Sequence, residues 1–339
     1  MKFSVIIPVY NNDIELLKKA IDSVLNQTFK DFEIVLVNDG STYEPTISVM
    51  EEMSCLPQVK YVFTERNRGI SGARQYGIDM SSGEWICFLD CDDTYEPNYL
   101  EAFYQAICNK PDVLMFSCGY QIVDISGTIL QKYPSKNISL QTNNIHFWTT
   151  AIWNRAYKKS FIVDNHIHFP EGCLTEDMAF LLQIIMYADT FSFIEGYTYN
   201  NLNNSRSTSR SAIFTRLSIE QMPFYILQQA IDKMENNISY TSECRFVMEG
   251  FILEYVCVLC CLLSRHIKDK KELSSIVVEG CRILKQIPDL VKFECAWNSS
   301  RTEGRRAMII IEKVVAYAIR YKLERPVIYV INRVLGKLY

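Results

Sequence analysis

The sequence of 339 residues has no uninterrupted apolar run of the roughly 18–20 residues that a membrane-spanning helix requires. The best candidate, Phe251–Leu263, is too short and contains Glu254. The sequence also has no strong excess of either charge, because 35 lysines and arginines stand against 39 acidic residues, for a formal net charge of −4. A protein that binds nucleic acid along a whole face is strongly basic, so we expect no nucleic-acid partner.

No secretory signal is recognisable, because Met1-Lys2 leads directly into a strand-like run without a small-residue cleavage site. The 12 cysteines are scattered, and several lie in apolar runs such as Trp85–Leu89. We therefore expect a cytoplasmic protein with reduced, buried thiols. The CxxC formed by Cys257 and Cys260 lies in an apolar helical pattern without a second such pair, so it is interpreted as core rather than as a zinc or redox site.

Positive charge is concentrated near the end of the chain, where residues 301–339 carry nine lysines and arginines against three acidic residues. An apolar stripe there has basic flanks; it comprises Ile309, Ile310, Ile311, Val314, Val315 and Ala318, beside Arg305, Arg306, Lys313 and Arg320. One interpretation is a basic amphipathic helix on an anionic lipid surface, peripheral at the inner face of the plasma membrane. The other is a helical subdomain packed on the rest of the chain or on a second subunit.

Short apolar runs separated by helical patterns dominate the first 118 residues. The runs are Phe3–Ile7, Glu33–Val37, Lys60–Phe63, Trp85–Leu89 and Val113–Phe116. Apolar strands that alternate with helices predict an α/β fold with a mostly parallel sheet covered on both faces. Further along, Gln121–Leu130 predicts a hairpin, the polar run Asn200–Ser211 predicts a loop, and the pattern from residue 213 onward is helical.

Polar turns follow three of these strands. They are Pro8–Asn12, with Asn11 or Asn12 placed to cap the next helix, then Asn38–Ser41, and finally Asp90–Asp93. Ligands of such sheets bind at the carboxyl ends of the strands, so we expect the three turns to meet at one edge.

Asp90-Cys91-Asp92-Asp93 is the strongest chemical signal, because carboxylate oxygens are the ligands that Mg²⁺ and Mn²⁺ prefer. One alternative is an N-cap cluster, in which Asp93 or Thr94 starts the helix near Pro97. A calcium loop is disfavoured, since Tyr95 stands where that loop requires glycine.

Three other charged positions are ambiguous taken alone. Asp39 is placed to accept hydrogen bonds from a nucleobase or ribose, or it belongs to a plain Asp-Gly turn. Arg74 follows two glycines and faces a base or phosphate, or it is a solvated helix residue. Glu176-Asp177 contains a general base, or it is an ordinary acidic first turn.

Four ordered motifs together give a more specific signal. Phe3–Asn11, Val37–Thr42, Asn67–Arg74 and Phe88–Asp93 resemble the family 2 glycosyltransferases of the GT-A fold, of the type found in bacterial polysaccharide biosynthesis. The resemblance extends over about residues 1–210. It implies a Rossmann-like catalytic domain at 1–212, with a nucleotide-binding half at 1–118 and an acceptor-binding half at 119–212, followed by a helical region at 213–339. It also implies inverting transfer from a nucleotide-activated sugar, usually a UDP-sugar, with a divalent metal (Mn²⁺ or Mg²⁺).

Individual residues match the family's motifs. Pro8, Val9, Tyr10 and Asn11 match its first nucleotide-binding turn, and Asp39 matches the carboxylate that binds the base.

The remaining matches concern the leaving group and the acceptor. Arg74 matches an arginine near the nucleotide. In the DXD motif, Asp90 matches the ribose contact, Cys91 lies between, and Asp92 matches the metal ligand. Asp177 matches the catalytic base, with Glu176 as its acidic neighbour.

One position departs from the family. Members often place Tyr-Arg after the Glu-Asp helix, where the cation meets the leaving diphosphate, but here Tyr199 precedes Asn200, and Arg206 or Arg210 is a candidate substitute. The resemblance predicts an enzyme that acts on a saccharide or lipid-linked saccharide acceptor. The alternative is a catalytically inactive scaffold that still binds sugar nucleotides.

Overall fold

The computed structural model describes residues 1–134, 151–173, 175–188, 190–203, 220, 222–236, 242–262, 267, 269–287, 314–319 and 321–322. The chain forms two compact units. The first comprises Met1–Asn137, Thr150–Gly172 and Tyr187–Ser207, and the second comprises Ile138–Thr149, Cys173–Met186 and Thr208–Tyr339. The sequence predicts a single boundary at residue 212, after the catalytic domain. The two units are divided differently, because the second also includes Ile138–Thr149 and Cys173–Met186.

The strands of the first unit are β1 (Phe3–Val9), β2 (Phe32–Asn38), β3 (Val59–Phe63), β4 (Trp85–Phe88), β5 (Thr94–Tyr95), β6 (Met115–Val123), β7 (Ile129–Tyr133), β8 (Arg155–Lys158) and β9 (Phe191–Leu202). The helices along the chain are α1 (Ile14–Leu25), α2 (Glu44–Ser54), α3 (Gly69–Met80), α4 (Tyr99–Asn109), α5 (Lys159–Asp164), α6 (Glu176–Tyr187), α7 (Phe224–Asn236), α8 (Ser242–Cys257) and α9 (Lys270–Leu284). A π-helical turn, Val258–Leu262, follows α8.

The sheet has the order β3-β2-β1-β4-β8-β6-β9-β5, and β7 pairs with β6. Strands β3, β2, β1 and β4 are parallel neighbours, as the apolar runs predict. Beyond β4 the sheet is mixed, because β8 is antiparallel to both β4 and β6. The predicted hairpin is confirmed by the antiparallel pairing of β6 with β7.

Strands β1 and β2 are buried at every position, which explains their mostly apolar sequence. Two polar residues within them, Ser4 and Glu33, are buried together, and the Ser4 hydroxyl donates to Glu33 over 2.6 Å. Helix α1 buries Leu17, Ala20, Ile21 and Val24. Its N-cap is Asp13, which accepts hydrogen bonds from the backbone N–H groups of Glu15 and Leu16, so the predicted capping by Asn11 or Asn12 is wrong.

The sequence-predicted loop at Asn200–Ser211 begins too early. Asn200, Asn201 and Leu202 belong to β9, where they pair with β6. The predicted substitutes for the family arginine, Arg206 and Arg210, lie outside the described residues.

The second unit is helical in its described C-terminal part. Cys257 and Cys260 are buried, and the Cys260 Sγ lies 3.5 Å from the carbonyl oxygen of Ile276, so their interpretation as core is confirmed. In the predicted basic tail, the structure describes helical residues 314–319, where Val315 and Ala318 are buried, while Ile309–Ile311 lie outside the described residues. Among the residues that the structure describes, no helix is long and apolar enough to cross a membrane.

Candidate functional site

The three polar turns meet at one edge of the sheet, as predicted. Strand β1 lies between β2 and β4 and is parallel to both. The turns after these strands therefore leave the sheet side by side. The Asp39 N–H donates to the Val9 carbonyl oxygen over 2.9 Å, which joins the first and second turns directly.

Asn11 holds these two turns together through its side chain. Its Oδ1 accepts hydrogen bonds from the backbone N–H groups of Thr42 and Tyr43, each over 2.8 Å. Asn11 has a φ of 49°, a left-handed conformation that asparagine tolerates better than most residues. The neighbouring Tyr10 is 47% exposed, and its ring is therefore accessible to a ligand at this edge.

Asp39 is a buried carboxylate that organises the second turn. Only 3% of it is exposed, and its Oδ1 accepts hydrogen bonds from Thr64 Oγ1 at 3.0 Å and from the Arg68 N–H at 2.9 Å. Gly40 follows with a φ of 67°, and a Cβ there would lie 2.6 Å from the backbone of Arg66. Within the described part of the chain, Asp39 Oδ2 has no hydrogen bond, so this oxygen is left to accept one from a ligand.

Arg74 lies in α3 and is paired with the first aspartate of the third turn. Its Nη2 is 2.9 Å from Asp90 Oδ1, and its guanidinium carbon is 5.9 Å from the centre of the Phe169 ring. Only 3% of Arg74 is exposed, so the alternative of a solvated arginine is wrong. The ion pair orients Asp90 at the carboxyl end of β4.

Asp93 does not cap α4, whose N-cap is Asn98. Its Oδ2 instead accepts hydrogen bonds from the Tyr199 hydroxyl at 2.6 Å and from Asn201 Nδ2 at 3.0 Å, and its Oδ1 accepts one from the Leu202 N–H at 2.7 Å. Burial, with the charges of Asp90 and Asp92, raises the pKa of Asp93 well above its usual range. Asp93 thus ties the turn that carries Asp92 to β9.

Replacing Asp93 by alanine is expected to reduce the free energy of unfolding by about 2–4 kcal/mol, because one buried and two half-buried donors would lose their acceptor. Thermal unfolding measures the loss. Asp124→Ala is the matched control: Asp124 also accepts hydrogen bonds from Ser126 and Thr128, but in an exposed turn, so about 1 kcal/mol or less is expected. Equal losses in both variants would contradict the anchoring role of Asp93.

The residues of the third turn suit a hard divalent cation whose remaining ligands come from a substrate. Asp92 is half-buried. The other two aspartates of the turn already have partners, because Asp90 is paired with Arg74 and Asp93 is hydrogen-bonded to β9. Burial, then the charges of Asp92 and its neighbours, raises the pKa of Cys91 well above its usual range, so Cys91 stays a neutral thiol. Among the described residues, no group of three or more His, Cys, Asp and Glu side chains could hold a metal ion. Mg²⁺ sites of this kind use one or two carboxylates together with phosphate oxygens.

Asn200, the departure from the family pattern, is engaged in a polar network. Its Oδ1 accepts a hydrogen bond from Gln121 at 2.6 Å, and its Nδ2 donates to Glu96 at 2.9 Å. The adjacent Tyr199 is buried, and its hydroxyl is held by Asp93. These β9 positions support the third turn. The sequence carried no local signal for that role, because their partners lie 79 to 109 positions away in the chain.

Glu176 and Asp177 belong to the second unit, where they form the first turn of α6. Acidic side chains in the first turn stabilise a helix, because the helix N-terminus carries a partial positive charge. Thr175, directly before them, has a φ of 60°. The site residues predicted from the sequence therefore fall into two groups: those from Pro8 to Asp92, in the first unit, and the Glu176-Asp177 pair, in the second.

Comparison with known proteins relates the chain to enzymes that transfer sugars. The family model described as glycosyl transferase family 2 matches residues 4–169. A cholesterol galactosyltransferase of Borreliella burgdorferi is 24% identical, with 93% of this chain and 91% of that protein aligned. Glycosyltransferase GlyA of Streptococcus pneumoniae is 40% identical over 75% of this chain, which spans 36% of GlyA.

Two Staphylococcus aureus proteins are also similar. Poly(ribitol-phosphate) beta-N-acetylglucosaminyltransferase TarP is 30% identical, over 61% of this chain and 64% of TarP. The crystal structure of TarS residues 1–349 in complex with UDP-GlcNAc superposes with a TM-score of 0.71 at 18% identity, covering 99% of this chain and 92% of TarS 1–349. The likeness to TarS extends through the helical region, well beyond the residues that the family model matches.

Proposed function

Because the chain belongs to glycosyl transferase family 2, through residues 4–169, and has the GT-A fold, we propose that it transfers a sugar from a UDP-sugar to an acceptor hydroxyl with inversion at the anomeric carbon. The observation that carries the proposal is the meeting of Asp39, Asp90 and Asp92 at one edge of the parallel strands. Such an edge is where open α/β sheets bind their ligands.

The first two turns bind the nucleotide. Asp39 Oδ2 accepts a hydrogen bond from the imino N–H of the uracil, while Oδ1 stays engaged with Thr64 and Arg68. The exposed ring of Tyr10 covers the base, with Pro8, Val9 and Asn11 shaping the turn beneath it. Support for UDP as the nucleotide comes from TarS, which was crystallised with UDP and with UDP-GlcNAc.

The third turn binds the ribose and the diphosphate. Asp90, oriented by Arg74, accepts hydrogen bonds from ribose hydroxyls, and the backbone at Cys91 gives the turn its close approach to the sugar nucleotide. Asp92 would hold Mn²⁺ or Mg²⁺ together with phosphate oxygens, and the bound cation would offset the negative charge of the departing UDP. PcManGT of Pyrobaculum calidifontis, crystallised with GDP-Man and Mn²⁺, has a related fold (TM-score 0.52), which supports a cation at such a site.

Asp177 acts as the general base. It removes the proton from the acceptor hydroxyl as that oxygen forms a bond to the anomeric carbon and the bond to the UDP oxygen breaks. Attack from the face opposite the leaving group inverts the configuration. Glu176, beside it in the first turn of α6, keeps the local potential negative and so favours a proton-accepting site.

The acceptor belongs to a cell-surface polysaccharide or glycolipid. The names of two relatives support this class, since one acts on cholesterol and the other on poly(ribitol-phosphate). We propose that residues 1–118 bind the donor and 119–212 the acceptor. Contact of the basic C-terminal region with a membrane, and self-association, stay predictions from the sequence.

Asp39→Asn is expected to weaken UDP binding by about 10- to 100-fold, because the amide retains an oxygen for Thr64 and Arg68 but presents an NH₂ group where the uracil needs an acceptor. Calorimetry with UDP measures the loss. Asp79→Asn, an exposed substitution on α3, should leave UDP affinity unchanged. Equal UDP affinity in Asp39→Asn and wild type would contradict the assignment of Asp39 to the base.

A panel of UDP-sugars, assayed for slow Mn²⁺-dependent hydrolysis, tests the function without knowledge of the acceptor. Hydrolysis of one sugar nucleotide in preference to the others is expected. Tight UDP binding with no hydrolysis of any sugar nucleotide would instead favour the inactive scaffold.

A further inference from the structure

A tyrosine of the helical region holds the residue that precedes Glu176 and Asp177. We infer that Tyr255, on α8, is a positioning residue for the Asp177 carboxylate, an inference that rests on the proposed role of Asp177 as general base. Thr175 and Tyr255 both lie outside the span of the family model, which ends at residue 169, and both belong to the second unit.

Tyr255 makes two hydrogen bonds to one residue. Its hydroxyl donates to the Thr175 carbonyl oxygen over 3.0 Å, and it accepts from the Thr175 hydroxyl over 3.1 Å. The same carbonyl oxygen accepts the first helical hydrogen bond of α6, from the Ala179 N–H at 3.1 Å. Tyr255 is thus joined to the start of the helix that carries Asp177.

The anchored residue has an unfavourable backbone conformation. Thr175 has a φ of 60°, and left-handed backbone is rare for a β-branched residue. A conformation of this kind costs on the order of 1–3 kcal/mol and persists only where surrounding contacts impose it. The two hydrogen bonds between Tyr255 and Thr175 oppose relaxation of Thr175 toward an ordinary N-cap conformation.

The anchor keeps its proton at all working pH values. Tyr255 is fully buried, and burial, with the charge of Glu176, raises its pKa well above the usual value. Burial and the charge of Glu176 likewise raise the pKa of Cys173 to about 12, so that thiol is neutral too. The Tyr255 hydroxyl therefore remains a donor to the Thr175 carbonyl oxygen.

Loss of this anchor should affect the chemical step more than donor binding. Asp177 lies two residues after Thr175, so relaxation of the Thr175 backbone changes the direction in which the first turn of α6 presents its carboxylate. A displacement of about 1 Å at a reacting group costs on the order of 10²-fold in rate. The groups assigned to the nucleotide belong to the first unit and Tyr255 belongs to the second, so we expect donor affinity to persist.

The test compares Tyr255→Phe with Tyr157→Phe in the full chain. Tyr157 is also fully buried, and its hydroxyl also donates to a backbone carbonyl, that of Ile152 at 3.0 Å, so the two variants remove similar bonds. Kinetics use Mn²⁺-dependent hydrolysis of the UDP-sugar that the panel selects. Hydrogen exchange at the Ala179 amide reports on the start of α6 without any substrate.

For Tyr255→Phe we expect kcat to fall about 10- to 100-fold with KM for the donor within about twofold, and the Ala179 amide to exchange faster. Tyr157→Phe should leave both unchanged. Equal kcat in the two variants, or a lower kcat with unchanged Ala179 exchange, would overturn the inference. If Asp177→Asn is inactive while Tyr255→Phe is fully active, the positioning role of Tyr255 is wrong and the proposed base stands. If Asp177→Asn hydrolyses the UDP-sugar at the wild-type rate, Asp177 is not the base.

Discussion

Asp177→Asn is expected to lower turnover of the UDP-sugar by about 10²- to 10⁴-fold, the range that a general base contributes. Asparagine has nearly the same shape as aspartate but cannot take a proton from the attacking hydroxyl. UDP affinity should stay within about twofold, since the base is proposed to act on the acceptor and not on the nucleotide. Single-turnover kinetics and calorimetry with UDP, on the same preparations, separate the two quantities.

Glu101→Gln provides the matched control for this variant. Glu101 is an acidic residue in the first turn of α4, so its substitution removes the same favourable interaction with a helix N-terminus that Asp177→Asn removes from α6. Turnover by Glu101→Gln should equal that of the wild type. A rate for Asp177→Asn close to that of the control would show that Asp177 is not the base.

The second large effect concerns the cation. Mn²⁺ should strengthen UDP binding to the wild type by at least about 10-fold, and Asp92→Ala should remove this enhancement. Loss of a group that only supports a metal ligand typically costs about 10–100-fold in metal affinity, and loss of the ligand itself should cost at least as much. UDP binding is measured by calorimetry with Mn²⁺ and with a chelator. In the chelator, wild type and Asp92→Ala should bind UDP equally.

Asp124→Ala is the control for Asp92→Ala, since Asp124 is an aspartate in the exposed turn between β6 and β7. It should retain the full Mn²⁺ enhancement. If Mn²⁺ strengthens UDP binding to Asp92→Ala as much as to the wild type, Asp92 is not a ligand of the cation. The proposal that this turn binds the cation would then be wrong.

Much of the parallel part of the sheet could be predicted from the sequence. Strands β1, β2 and β4 are buried on both faces, so burial demands apolar residues at most positions and leaves a run in the sequence that few polar residues, such as Ser4 and Glu33, interrupt. The polar residues after each run then had to lie at the carboxyl ends of neighbouring parallel strands. For this reason the positions of Asp39 and Asp90 relative to the sheet were predictable.

The second half of the sheet was harder to predict. Strand β9 is only partly buried, and it ends in Asn200-Asn201-Leu202, whose composition is that of a loop. Strand β5 has two residues, too few to show a periodicity. These strands owe their structure to pairing with distant segments, for which local composition carries no signal.

The sequence alone determined which side chains are candidates for binding a nucleotide and a cation, and roughly where along the strands they fall, because burial and helix periodicity leave their pattern in neighbouring residues. The tertiary structure alone decided what each charged group does: Arg74 is buried against Asp90, Asp93 joins a turn to β9, and Tyr255 secures Thr175. The physical reason is that a hydrogen bond depends on distance in space, and these partners are 16, 109 and 80 positions apart in the chain.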